Sequence, residues 1–242
     1  MIIPTDDPIA IAAVQAIRGG DVEALRRLLG EHPYLATVAL GATDCKNGMT
    51  RSLLHVATDW PGHFPRGPET VNALVEAGAD VNARFTGPHT ETPLHWAASS
   101  DDVAVLDALL DAGADIEATG AVVAGGTPMA DATAFGQWKA AQRLLERGAS
   151  TNLWEASALG LLDRVEAFFV GDDLPPAGDV TGSFWGACHG GHRDVAEYLL
   201  EKGADINWVG WDDLTPLDAA ARSRADDVVE WLRSVGGTTA AA

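Results

Sequence analysis

With 242 residues of which 47% are hydrophobic, the chain can bury a substantial core, and no apolar run approaches the ~20 residues that cross a bilayer. Sixteen basic residues against 35 acidic ones give a formal charge of -19, a field that repels phosphate backbones and anionic lipids and argues against nucleic-acid and membrane partners. Cys45 and Cys188 form no disulfide framework and read as free thiols, and the stretch from Met1 to Ile11 has no basic residue to open a signal peptide, so a cytoplasmic location is expected.

Taken in order, the chain copies itself at a spacing of about 33 residues, which points to a helical repeat array. Each copy is expected to open a helix at a Thr-Pro, turn, run a second helix and stop at Gly-Ala-Asp, because Thr caps, Pro suits the first turn and Gly ends the helix. The first copy, residues 8–40, turns at Gly20-Asp21. The second, 51–82, runs from Ser52-Leu53-Leu54-His55 to Gly78-Ala79-Asp80, and the third, 91–117, from Thr92-Pro93-Leu94-His95 to Gly113-Ala114-Asp115. The fourth, 126–150, opens at Thr127-Pro128 and closes at Gly148-Ala149-Ser150. A fifth, 151–181, begins near Leu153-Trp154-Glu155. The sixth, 182–207, ends at Gly203-Ala204-Asp205, and the seventh, 214–236, opens at Thr215-Pro216-Leu217-Asp218.

These residues resemble the ankyrin repeat family, most closely in Thr92-Pro93-Leu94-His95-Trp96-Ala97-Ala98 and its Gly113-Ala114-Asp115 stop. The resemblance implies an all-α solenoid of about seven helix-turn-helix repeats with short β-hairpin fingers, a single domain over residues 1–242. It implies a concave groove that binds partners, and a structural role for His55 and His95. Members of the family are overwhelmingly non-catalytic.

Three departures from the pattern carry the functional expectations. The second copy is five residues longer between turn and stop than the third (61→78 against 101→113), and the excess falls in the Pro61–Pro68 loop, with His63 and Phe64 at its centre. The fourth and fifth copies start closer together than the others, leaving a notch. The positions expected to face the groove bring together Asp59, Trp60, Trp96, Asp131, Phe135, Glu155 and His189, an acidic and aromatic set. Trp208 and Trp211 flank Gly210 in the last finger, where Trp offers large contact area at few rotatable bonds.

Two functions follow. In the first, the groove and the finger bind a protein or peptide, a basic one by charge, or a neutral or cationic small molecule. In the alternative, Asp131 and Glu155 act as general acid and base of a small-molecule hydrolase, isomerase or cyclase, their pKa values driven apart by a hydrophobic setting. The set Cys188-His189-Gly190-Gly191-His192 turns at its glycines and does not share a helical face, so no metal is expected, and no cofactor fingerprint is present.

Overall fold

The computed structural model describes residues 1–41 and 48–240; the expectation for Cys45 lies outside the described residues. Among these residues there are fourteen α-helices, arranged as helix–turn–helix pairs in two compact units, Met1–Ala149 and Ser150–Ala242.

In the first unit the pairs are α1 (Pro8–Gly19) with α2 (Val22–Glu31), α3 (Leu53–Ala57) with α4 (Gly67–Glu76), α5 (Pro93–Ser99) with α6 (Val103–Asp111), and α7 (Pro128–Ala134) with α8 (Trp138–Glu146). The odd-numbered helices pack on one another in sequence order, and so do the even-numbered ones, giving two layers. Leu25, Leu53, Leu54, Leu74, Leu94, Leu106, Leu109 and Met129 are fully enclosed between them. The first helices of the later pairs are only five to seven residues long, too short to be stable alone, so packing between neighbours holds them.

The second unit repeats the arrangement with α9 (Leu153–Ala158) and α10 (Leu162–Ala167), α11 (Ala177–Gly190) and α12 (Arg193–Glu201), and α13 (Pro216–Arg222) and α14 (Asp226–Ser234). Its core is built on Phe184, Ala187, Leu199, Val228 and Leu232. Second helices in both units end on left-handed glycines, Gly78, Gly113, Gly148 and Gly203, at φ between 92° and 98°.

A three-stranded sheet, which the repeat pattern did not suggest, joins β1 (Ile2–Pro4) in parallel to β2 (Ala39–Gly41), and β2 antiparallel to β3 (Thr50–Arg51). The segments between pairs are turns stitched by side chains. Asn82 spans one such junction, donating through Nδ2 to Gly113 O and accepting from Asp115 N at 2.8 Å. Asn207 does the same between Gly236 and Thr238.

Candidate functional site

The segments between the pairs are held at their bases by a recurring strut. The Ser52 amide and hydroxyl meet His55 Nδ1, which leaves Nε2–H to donate to Glu91 O at 3.1 Å. His95 uses the same geometry, Nδ1 on Thr92 and Nε2 on Gly126 O at 3.3 Å. Burial, ahead of any charge, pushes both imidazoles down to about 4, so they are neutral donors at physiological pH.

In α9 and α11 of the second unit tryptophan stands where the histidine does, while α13 has Asp218 there. Trp185 stands six residues before its turn glycine Gly191, as His95 does before Asp101, and its Nε1–H donates to Leu214 O at 2.9 Å. Trp154 holds the same place before Gly160, but its Nε1 is buried with no hydrogen-bond partner. The carbonyl that would serve it belongs to Thr181, which lies inside α11 and is taken up by that helix's own ladder. The indole packs instead on Gly186, where a Cβ would sit 3.1 Å from Nε1. Trp185→Phe should therefore cost about 0.5–1.5 kcal/mol, because the Leu214 carbonyl loses the indole donor and keeps only the Gly210 N–H at 2.9 Å. Trp185→His should recover part of that loss in urea denaturation; equal midpoints for the two variants would refute the strut.

The most unusual group in the first unit is Asp131, which is fully buried on α7. Neither carboxyl oxygen has a donor at full hydrogen-bond geometry, yet the Glu91 carboxyl and the amides of Val122 and Val123 lie near enough to act on it. Burial first, and the Glu91 carboxyl second, raise Asp131 to about 8. Glu91 is itself buried and accepts the Trp96 indole N–H at 3.1 Å. The Trp96 ring packs on His55 (4.9 Å between centroids) and Phe85 (5.5 Å). Asp131 thus finds its carboxyl neighbour in Glu91, a residue the sequence pattern did not single out.

The remaining expected residues of this unit have varied fates. Asp59 accepts both Arg18 and Arg51 at 2.9 Å, so its charge is already matched. Trp60 beside it is 79% exposed, and Phe135 half-exposed. The Pro61–Pro68 loop is tied on both sides. His63 donates its backbone N–H to Asp102 at 2.7 Å and its Nε2–H to Ser100 O at 3.1 Å, while Arg66 pairs with Glu23 at 2.8 Å.

In the second unit, α9 starts seven residues before its turn residue Gly160, where α5 and α7 start eight before Asp101 and Gly136. That shift puts Glu155 at the third helical position, and its carboxylate turns back to accept the Asn152 N–H at 2.9 Å in a capping box. His189 is buried, stacked on Trp185 at 5.2 Å with Nδ1 on the Ser223 hydroxyl. Trp211 is the hub of an aromatic cluster, 5.7 Å from Trp154, 5.1 Å from Trp185 and 5.4 Å from Trp208, all edge-on. It remains 45% exposed. Asp212 and Asp213 follow it, both exposed and both at positive φ, with Asp212 paired to Arg222.

Among the described residues no three His, Cys, Asp or Glu side chains converge as a metal site, and no helix is long and apolar enough to cross a membrane. Cys188 is a buried thiol whose pKa burial pushes up, away from reactivity.

The geometry agrees with what the chain is similar to. A family model described as ankyrin repeats (3 copies) matches residues 66–155 and again 156–239. An ankyrin repeat and KH domain-containing protein of Caenorhabditis briggsae is 33% identical over 174 residues, which is 68% of this chain but only 6% of that protein. With the helix pairs, the histidine struts and the glycine stops in place, the chain belongs to the ankyrin repeat family.

Proposed function

We propose that each helix pair is one repeat, seven in all, and that the chain is a recognition module whose principal contact face is the tryptophan cluster of the second unit, taking a protein segment that carries Lys or Arg. Ankyrin repeats are generally protein-interaction modules, which supports a binding role. The observation that carries the finer reading is Trp211: three indole rings fix its orientation, yet nearly half its surface stays in water. A rigid, half-exposed Trp is the kind of residue that dominates an interface. Asp213 near it, exposed on a chain of formal charge -19, favours a cation over its face, at about 0.5–2 kcal/mol per cation–π contact. Trp60, Trp96 and Phe135 would extend recognition on the first unit, and a cationic small molecule would satisfy the same chemistry.

Burial favours this reading over acid–base catalysis by Asp131 and Glu155. Asp131 has no exposed surface against which a substrate could rest, and Glu155 is 5% exposed with its carboxylate on its own helix cap. The test is selection from a peptide library of mixed charge. Basic sequences should be enriched, and Trp211→Ala should weaken the selected peptide roughly 30-fold or more, the ~2 kcal/mol of a hot spot. Equal recovery of acidic peptides, or undiminished binding by the variant, would refute it.

A further inference from the structure

Two guanidiniums meet on one carboxylate oxygen in the first unit. Arg18, in the last turn of α1, donates through Nη2 to Asp59 Oδ2 at 2.9 Å, and Arg51, on β3, donates through Nη1 to the same atom at 2.9 Å. The next residue, Trp60, is 79% exposed. In every other Arg–carboxylate group among the described residues the carboxylates equal or outnumber the guanidiniums, as where Arg66 takes both Glu23 and Glu69. At Asp59 two cations share one anion, a local surplus of one positive charge on a chain whose formal charge is -19.

Backbone contacts hold all three pieces in place. β3 pairs with β2, and Thr50, beside Arg51, exchanges N–H···O bonds with Thr86 at 2.9 Å in both directions. Gly20, two residues past Arg18, lies so close to the Pro61–Pro68 loop that a Cβ there would overlap Pro65 O. The Asp59 carbonyl accepts the Gly62 N–H at 2.7 Å. The guanidiniums are therefore oriented before any ligand arrives, which lowers the ordering cost of binding. Each spends one of its five N–H groups on Asp59, so donor edges remain on the exposed Arg18 and the half-buried Arg51 for a second acceptor.

A surplus of one positive charge matches a monoanion. A carboxylate fits the forked donors of arginine and brings the balance to zero, whereas a phosphate dianion would leave a net negative charge in an already negative field. Segments rich in Asp or Glu are disfavoured by the same field. The C-terminal carboxylate of a protein is an anion that needs no acidic residue, and its last side chain stands on the same Cα. Asp59 and Trp60 are adjacent, so an anion and an apolar group on one carbon match an arginine pair beside an indole. Free small acids fit less well, because Trp60 stands open to water while small-ligand sites enclose most of what they bind.

We propose that Arg18 and Arg51, aligned by Asp59, form with Trp60 a subsite for the C-terminal carboxylate of a partner protein whose last side chain is apolar. The incoming carboxylate accepts from N–H edges that Asp59 leaves unused, so the resident ion pairs persist. The subsite is separate from the Trp211 face. Selection there by side-chain charge does not touch it, since each peptide with a free C-terminus brings the same carboxylate.

NMR titration of the full chain with one peptide in two forms tests this. The probe is an N-acetylated tetrapeptide of neutral residues ending in phenylalanine, as the free acid and as the C-terminal amide. The free acid should shift the Nε–H signals of Arg18 and Arg51 and the indole N–H of Trp60. Amidation should weaken binding about five-fold or more, the worth of one charge-assisted hydrogen bond at a partly exposed site. Arg18→Gln, which leaves Asp59 paired with Arg51, should bring the free acid down to the level of the amide, and Trp60→Ala should weaken both forms alike. Trp211→Ala should change nothing. No shift from the free acid, or equal affinity of the two forms for the wild type, would overturn the proposal without recourse to any variant. So would an amidated peptide with one internal glutamate binding as tightly as the free acid, or one with an internal phosphoserine binding more tightly. Loss of binding in Trp211→Ala would place the peptide on the tryptophan face and overturn it too.

Discussion

Asp131→Asn is expected to remove most of the pH dependence of stability between pH 6.5 and 8.5, and to make the protein more stable than wild type at the upper end. The sign follows from linkage. Asp131 is raised from 3.8 to about 8 in the fold, so the folded chain binds more protons than the unfolded one across that range. Its contribution is fully present below 3.8 and is lost as pH rises through about 8. At roughly 1.4 kcal/mol per unit, the stretch from 6.5 to 8 alone amounts to ~2 kcal/mol. Other shifted groups leave this window clear. His55 and His95 fall to about 4 and act below 6.5, while burial moves Cys188 above its ordinary value of 9.0. Asparagine keeps the shape and offers its amide N–H to Glu91, so the contact survives without the charge. Urea midpoints at pH 6.5 and 8.5 should separate for wild type and coincide for the variant. Parallel falls in both would mean that Asp131 is not the titrating group.

The fold was legible because its punctuation is local. Thr-Pro caps and Gly-Ala-Asp stops act within one turn of helix, and the structure uses Thr92, Thr215, Gly113 and Gly203 as those motifs lead one to expect. The site was less legible because its contacts join residues about 40 positions apart. Glu91 occupies the place held by Arg51 in one copy, Gly126 in another and Leu214 in a third, so no repeated residue type marks it. Only the packing of α5 on α7 turns it into the neighbour of Asp131. The histidine strut was readable at His55 and His95, but not at Trp185, since an indole satisfies the same carbonyl with different letters. Spacing alone also hid the one-residue shift of α9 that turns Glu155 into a cap. Asp59 looked like a groove carboxylate, yet Arg18, 41 residues earlier, reaches it. The sheet escaped notice for the same reason, because Ile2 finds its partner at Ala39.

His55→Ala should be among the most damaging single substitutions in the first unit, at about 3–5 kcal/mol near pH 7. Three losses coincide at a position with no exposed surface. The Ser52 cap loses its acceptor, leaving that half-buried amide unmatched. Glu91 O loses the strut donor and keeps only the Phe85 N–H at 2.8 Å. The third loss is a cavity against the edge of Trp96, where the imidazole packs at 4.9 Å. The pH dependence separates these terms from simple core loss. Burial pushes His55 from 6.5 down to about 4, so the stability it contributes is present above 6.5 and is lost as pH falls through about 4. The gap between wild type and variant should therefore be widest at neutral pH and narrow on acidification toward pH 4. Denaturant midpoints at pH 7 and 4.5 measure both quantities. A loss below about 1 kcal/mol, or a gap that does not close with acid, would remove the neutral-donor role of His55, and with it the physical reason a histidine stands between Ser52 and Glu91.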